Sequence, residues 1–299
     1  MAEQVSARRS QLVLGLDPDP NRLWPAAAPP GEGAPSAAQA AAGAVLAHCR
    51  RVIEAVAEHC VAVKFQVACF ERLGAPGWSA LAAAADAARE HGLLVIADAK
   101  RGDIDVTARA YGEAFFGGSE TPFGSVAGLG ADALTVNALL GEDSVAPLLD
   151  AARAIGAGLF VLVRTSNPGA ALIQDRVLDD GGTVSDALAA LVRELGGSDP
   201  GQAGIADVGA VVGATVPEQL VRLRAAMPAA PLLLPGVGAQ GGSISALAPA
   251  FAPGPAGGLV AVSRGLVYAF EKAGGEPADA ARDEAARLRA LAWSLAGAS

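Results

Sequence analysis

Lysine, cysteine and histidine each occur only three times in the 299 residues, methionine occurs twice, and aromatic residues make up 4%. Three cysteines, Cys49, Cys60 and Cys69, are too few and odd in number for a disulfide framework. They point to a reducing, cytoplasmic setting. The start, MAEQVSARRSQ, has no apolar h-region, so no secretory leader is expected. The uncharged stretch from Ser243 to Ser263 is interrupted by Pro249, Pro253 and Pro255 and by Gly254, Gly257 and Gly258, which makes it a poor bilayer helix. Basic runs are also lacking: 22 Lys+Arg stand against 31 Asp+Glu, for a net charge of −9. Neither nucleic acid nor membrane is therefore an expected partner. An anionic small molecule remains compatible if a few cations are gathered at one place.

What the chain has in quantity is alanine, 37 glycines and a hydrophobic fraction of 52%. Short apolar runs alternate with Ala-rich stretches of helical period. Eight runs read as strands: Gln11–Leu16, Val61–Phe65, Leu93–Ala97, Asp132–Val136, Gly158–Val163, Asp207–Val212, Pro231–Leu234 and Gly258–Val262. Their lack of polar alternation suits parallel strands covered by helices. Two capping boxes are expected, Ser36 with Gln39 and Thr215 with Glu218, and helices are expected over Glu142–Ile155, Val184–Leu195 and Pro277–Leu295. Eight strands alternating with helices favour an α/β fold of the (β/α)8 TIM-barrel type, with residues 1–299 as a single domain. Two irregular insertions, near residues 18–35 and 166–182, follow strand C-terminal ends. Each reads as a lid or as a tolerated surface insertion.

In such a barrel the chemistry is expected where strands end. Reading those ends in order gives Asp17, Lys64, Asp98 with Lys100, Asn137, Ser166, Gln240 and Arg264. A chain that uses arginine for 19 of its 22 cations keeps two of its three lysines, Lys64 and Lys100, at these ends. A compact ammonium that can give up a proton is what lysine offers and arginine does not. Asp98 and Lys100 are two apart and share one side of an extended strand, and Asp103 follows in the turn. A lysine between two carboxylates stays protonated and makes a positioned acid rather than a nucleophile. The alternative is a structural ion-pair cluster closing the barrel mouth.

The pattern D-x-K-x-x-D-I-x-x-T, met by Asp98, Lys100, Asp103, Ile104 and Thr107, resembles the signature of the orotidine 5′-phosphate decarboxylase family. LGLDP at Asp17, VKFQ at Lys64, RTSNPG around Ser166, PGVGAQGG around Gln240 and VSRG at Arg264 agree in order. The wording and length resemble the longer-chain bacterial (type 2) group. The resemblance implies a barrel of the ribulose-phosphate-binding type. It also implies a carboxy-lyase that needs no cofactor and no metal, converting orotidine 5′-phosphate to uridine 5′-phosphate in the last step of pyrimidine synthesis. Lys100 is then implied as proton donor to C6, flanked by Asp98 and Asp103, with Lys64 completing the charged array. Asp17 and Lys64 are implied at the ribose, Ser166 at the pyrimidine edge, and Gln240 and Arg264 at the phosphate. Asp103, Ile104 and Thr107 are implied to reach a neighbouring subunit's site in a homodimer.

Competing patterns are weaker. Gly236 to Gly241 fits G-x-G-x-x-G but follows the seventh strand, and the next acid is Glu271, so a phosphate loop suits it better than a dinucleotide site. His48-Cys49 and His59-Cys60, 11 apart on one expected helix, would stand roughly 16 Å apart, too far to share an ion. His91 reads as structural and Lys272 as a solvated charge. Arg101 suits a phosphate contact or a surface cap equally. Asn137, Thr165 and Asn167 suit the site or a turn. The nearest rival activity is a metal-dependent sugar-phosphate decarboxylase or hexulose-phosphate synthase on a related barrel. A non-catalytic nucleotide-binding barrel is the rival from another class.

Overall fold

A computed structural model describes residues 1–25, 36–197, 203–238 and 241–297. Eight parallel strands close into a barrel in chain order, the last pairing with the first through Leu12 and Val260. They are Leu12–Leu16, Ala62–Gln66, Leu94–Arg101, Ala133–Val136, Gly158–Arg164, Val208–Val212, Leu232–Pro235 and Gly258–Val262. All eight expected strands are present, with ends shifted by a few residues. The third is the exception, running on through Asp98 and Lys100 to Arg101.

Alternation along each strand sorts the side chains. Leu12, Leu14 and Leu16, with Val63, Phe65, Val95, Ala97, Leu134 and Val136, belong to the core between strands and helices. Val13, Ala62, Ile96, Ala133, Phe160 and Leu233 fill the barrel interior. Continuing the inward phase toward the strand C-terminal ends places Lys64, Asp98 and Thr135 above that apolar filling, all three buried. The barrel is thus apolar at its floor and polar at its mouth.

Several local features depart from the sequence reading. The Ser36–Gln39 box forms at the head of helix Ala37–Val56. The Thr215–Glu218 box does not: helix Pro217–Ala226 is preceded by Val216, and the Thr215 hydroxyl donates instead to the Ser166 carbonyl at 3.2 Å. An unanticipated box, Thr183 with Asp186, starts helix Val184–Gly196. The stretch expected as helix from Glu142 to Ile155 divides into a turn, Glu142–Ser144, and helix Ala146–Arg153, because Pro147 suits only a first helical turn. His59 lies in a separate turn, Ala57–His59, beyond the helix that carries His48. A hairpin, Ser119–Thr121 with Gly124–Val126, stands outside the barrel. Helix Ala2–Arg8 closes the floor: Val5 is fully buried, and the Arg8 guanidinium donates to the carbonyls of Ala57, Cys60, His91 and Gly92. Among the described residues no helix is long and apolar enough to cross a membrane.

The described part of the first insertion is held down. The buried Trp24 indole donates to the Val267 carbonyl at 2.7 Å, and the Trp24 backbone N–H donates to His48 Nδ1 at 3.1 Å. Burial, helped by Arg51, pushes the His48 imidazole down to about 4 from an ordinary 6.5. The unfolded chain therefore takes up a proton below pH 6.5 that the folded chain resists. Stability is unaffected above that value and falls between pH 6.5 and 4, by on the order of 3 kcal/mol. His48→Asn keeps an acceptor and does not titrate. Its melting temperature is expected to drop less than that of the wild type between pH 7 and 4.5, and equal drops would remove His48 as the cause.

Candidate active site

A cavity of about 590 Å³ opens at the strand C-terminal ends. Its lining includes Asp17, Lys64, Asp98, Lys100, Ser166 and Arg264. The second strand points Lys64 inward, opposite Ile96 in register, and the third strand brings Asp98 level with Gln66. Lys64 Nζ lies 2.5 Å from Asp98 Oδ2 and 3.9 Å from Asp17 Oδ1. The Lys100 ammonium pairs with the other oxygen, Asp98 Oδ1. Thr135 Oγ1 donates to Oδ1 at 2.9 Å, and Gln66 Nε2 donates to Oδ2 at 3.3 Å.

Asp98 thus accepts from four donors. Its burial favours the neutral acid, but Lys64 and Lys100 outweigh that and hold the carboxyl down to about 2. Lys64 is raised above its ordinary value: burial opposes its charge, and Asp98 and Asp17 more than compensate. Exposure separates the two lysines. The Lys64 side chain is 7% exposed and that of Lys100 44%, so Lys100 is the more accessible of the two ammonium groups.

The backbone at Lys100 is unusual. Its φ is 50°, a left-handed conformation that lysine rarely adopts, and the pairing with the fourth strand shifts between Ala97 and Arg101. The freed Lys100 N–H donates to Thr135 Oγ1 at 3.0 Å. Two residues on, a Cβ at Gly102 would sit 2.3 Å from the Asn137 carbonyl oxygen, so only glycine lets the chain pass there.

The other residues singled out from the sequence fall into three groups. Asp17, Ser166 and Arg264 line the cavity, as do Asn137, Thr165 and Asn167. Asp103, Ile104 and Thr107 do not. The chain turns at Gly102, so the strand alternation ends, and Asp103 Oδ1 accepts from the Ile104 N–H at 2.8 Å. Within one subunit Lys100 therefore pairs with Asp98 and not with its own Asp103, and the Asp98 carboxylate lies between two ammonium groups. Ile104 and Thr107 are exposed at the start of helix Asp105–Phe115. Gln240 lies outside the described residues.

Arg101 is a structural group: it pairs with Glu71 and lies over the rings of Tyr111 and Phe115 at 5.3 and 5.5 Å. Thr135, Gln66 and Arg164 escaped the sequence reading. Arg164 is buried and grips Asp175 through two bonds of 2.7 and 2.9 Å, tying the fifth strand to helix Ala170–Gln174 in the second insertion. The available signal was a polar residue in the inward phase of an apolar strand. Of the cysteines, Cys49 and Cys60 are buried with thiols pushed up by desolvation, and Cys69 is half-buried on the short helix after the second strand.

Comparison with known proteins gives one answer. The model of the orotidine 5′-phosphate decarboxylase / HUMPS family matches residues 10–281. An orotidine 5′-phosphate decarboxylase of Rhodopirellula baltica is 45% identical over 234 residues, covering 77% of this chain and 75% of its own. One from Deinococcus radiodurans is 41% identical over 290 residues, covering 97% and 94%. The solved structure of Leishmania donovani OMP decarboxylase is 32% identical, with a TM-score of 0.72, and the match covers 99% of this chain and 98% of that one.

The burial difference predicts unequal costs. Asp98→Asn leaves the buried Lys64 ammonium short of its counter-charge and should destabilise the protein by about 3–5 kcal/mol. Lys100→Met removes a half-exposed partner and should cost under about 1 kcal/mol. Urea denaturation of the two variants measures both, and equal costs would contradict the assignment of Lys64 as the buried partner.

Proposed function

The chain belongs to the orotidine 5′-phosphate decarboxylase / HUMPS family, and on that premise we propose that Lys100 is the group that protonates C6 of the substrate pyrimidine. The reaction is decarboxylation of orotidine 5′-phosphate to uridine 5′-phosphate, which makes the protein a carboxy-lyase of pyrimidine synthesis. The family description alone covers two activities, and the named relatives select the decarboxylase.

The C6–carboxylate bond breaks, CO₂ leaves, and the electron pair stays on C6, where the ring offers no adjacent acceptor. An ammonium fixed beside that carbon stabilises the charge as it forms, more strongly in a water-poor cavity than in bulk solvent. The same ammonium then gives its proton to C6. Lys100 carries this reading because, of the two ammonium groups that Asp98 anchors in the cavity lining, it is the far more exposed one. Asp98 fixes that ammonium, and Lys64 keeps Asp98 ionised when the substrate's own negative charge arrives. In the same reading Asp17 and Lys64 meet the ribose hydroxyls, Ser166 the polar edge of the pyrimidine, and Arg264 with Gln240 the phosphate. Distant phosphate contacts then contribute binding energy to the chemical step.

The proposal extends to assembly. Asp103, Ile104 and Thr107 are read as contributing to the neighbouring site of a homodimer. Their position just beyond the third strand, outside the lining of their own cavity and with Ile104 and Thr107 exposed, supports this. Residues 1–299 are read as one barrel domain, acting in the cytoplasm, in keeping with three free cysteines.

Lys100→Ala is expected to abolish turnover, followed as loss of orotidine absorbance, while a C6-substituted uridine monophosphate still binds measurably. Near-normal turnover in that variant would overturn the assignment. Activity lost on adding a chelator would point to the metal-dependent alternative.

A further inference from the structure

We propose that Thr135 is a positioning residue for the decarboxylation, setting both the Asp98 carboxylate and the backbone of Lys100 through one hydroxyl. The inference rests on the reading of Lys100 as proton donor.

Thr135 sits in the inward phase of the fourth strand and is 1% exposed. The inward residues below it, Ile96, Ala133 and Phe160, are apolar, so a hydroxyl at this height needs partners to be tolerated. It has two. The Lys100 N–H can only donate, so it occupies a lone pair of Oγ1 at 3.0 Å. The single hydroxyl hydrogen is then directed to Asp98 Oδ1, 2.9 Å away. The direction of both bonds is fixed by chemistry, since an ionised carboxylate accepts and an amide N–H donates.

The position of the contact matters as much as its polarity. Between Ala97 and Arg101 the third and fourth strands fall out of register, and Lys100 takes its left-handed φ of 50° in that interval. An N–H in such an interval has no ladder partner, and Thr135 supplies one from the facing strand. The same oxygen therefore holds the backbone that launches the Lys100 side chain and the carboxylate that receives its ammonium. Valine at this position would fill the same space and hold neither. Displacements of about 1 Å in reacting groups can cost about 100-fold in rate, so a cavity-lining residue that acts through Asp98 and Lys100 can govern turnover.

The test compares three variants with the wild type. Thr135→Val keeps the branched shape without the hydroxyl, Thr135→Ser keeps the hydroxyl without the methyl, and Lys100→Ala tests the underlying reading. Thr135→Val is expected to lower kcat by about 10- to 100-fold with KM within about twofold. Thr135→Ser is expected to return to within about threefold of wild type. The charged groups facing Asp98 are Lys64 and Lys100, with Asp17 beyond Lys64, and all remain in the Val variant. Losing the hydroxyl donor nevertheless eases protonation of Asp98, so the acid limb of the kcat profile should move to higher pH in Thr135→Val and stay in place in Thr135→Ser. Thermal melting confirms folding, and Thr135→Ala replaces Thr135→Val if the latter does not fold. Wild-type kcat without the hydroxyl, equal losses in the Val and Ser variants, or a rise in KM alone would overturn the proposal. Turnover in Lys100→Ala would instead overturn the proton-donor reading. An inactive Lys100→Ala beside a fully active Thr135→Val would remove the inference about Thr135 and leave that reading standing.

Discussion

A carboxylate inside a barrel of apolar side chains is held ionised by two ammonium groups, and the polar mouth is arranged around it. Asp98 accepts from Lys64, Lys100, Thr135 and Gln66, which come from three consecutive strands. Removing it from water favours the neutral acid, and only the converging cations reverse that. The buried Lys64 is in turn kept charged chiefly by Asp98, so each member of the pair justifies the other's burial. Lys100 is the member left partly in the open, so one lysine of the pair is buried with its carboxylate and the other reaches toward solvent.

That arrangement is precise because closed parallel strands alternate strictly. Lys64, Asp98 and Thr135 occupy the same inward phase as the alanine, isoleucine and phenylalanine beneath them, at heights fixed by strand register. The mouth is thus one layer of a packed stack, resting on a floor closed by helix Ala2–Arg8. The exception to regularity, the left-handed turn at Lys100, is braced by Thr135 behind it and by the close passage of Gly102 over the Asn137 carbonyl.

Much of this was legible in the chain. Short apolar runs of barrel length exposed all eight strands, because strands covered on both faces tolerate few polar residues. The scarcity of lysine drew attention to Lys64 and Lys100, and the spacing of Asp98 and Lys100 placed both on one side. What stayed hidden depends on contacts between distant segments. Asp103 was read as a second neighbour of Lys100 because the two are close in sequence, but spacing alone does not say which way a turn carries its side chains, and Asp103 accepts from the Ile104 N–H. The Thr215–Glu218 pair has the spacing of a cap, but Thr215 is drawn to Ser166, 49 residues earlier. Thr135 and Arg164 passed unnoticed because a lone polar residue in an apolar run carries no mark of the neighbouring element it bonds, the third strand for Thr135 and Asp175 for Arg164.

The cysteines have a practical side. Two of the three thiols are sealed in the core and hard to ionise. The third, Cys69, is half-buried one short turn beyond Lys64 and Gln66. Burial pushes its thiol up as well, so all three cysteines resist forming the thiolate that alkylating and oxidising reagents attack.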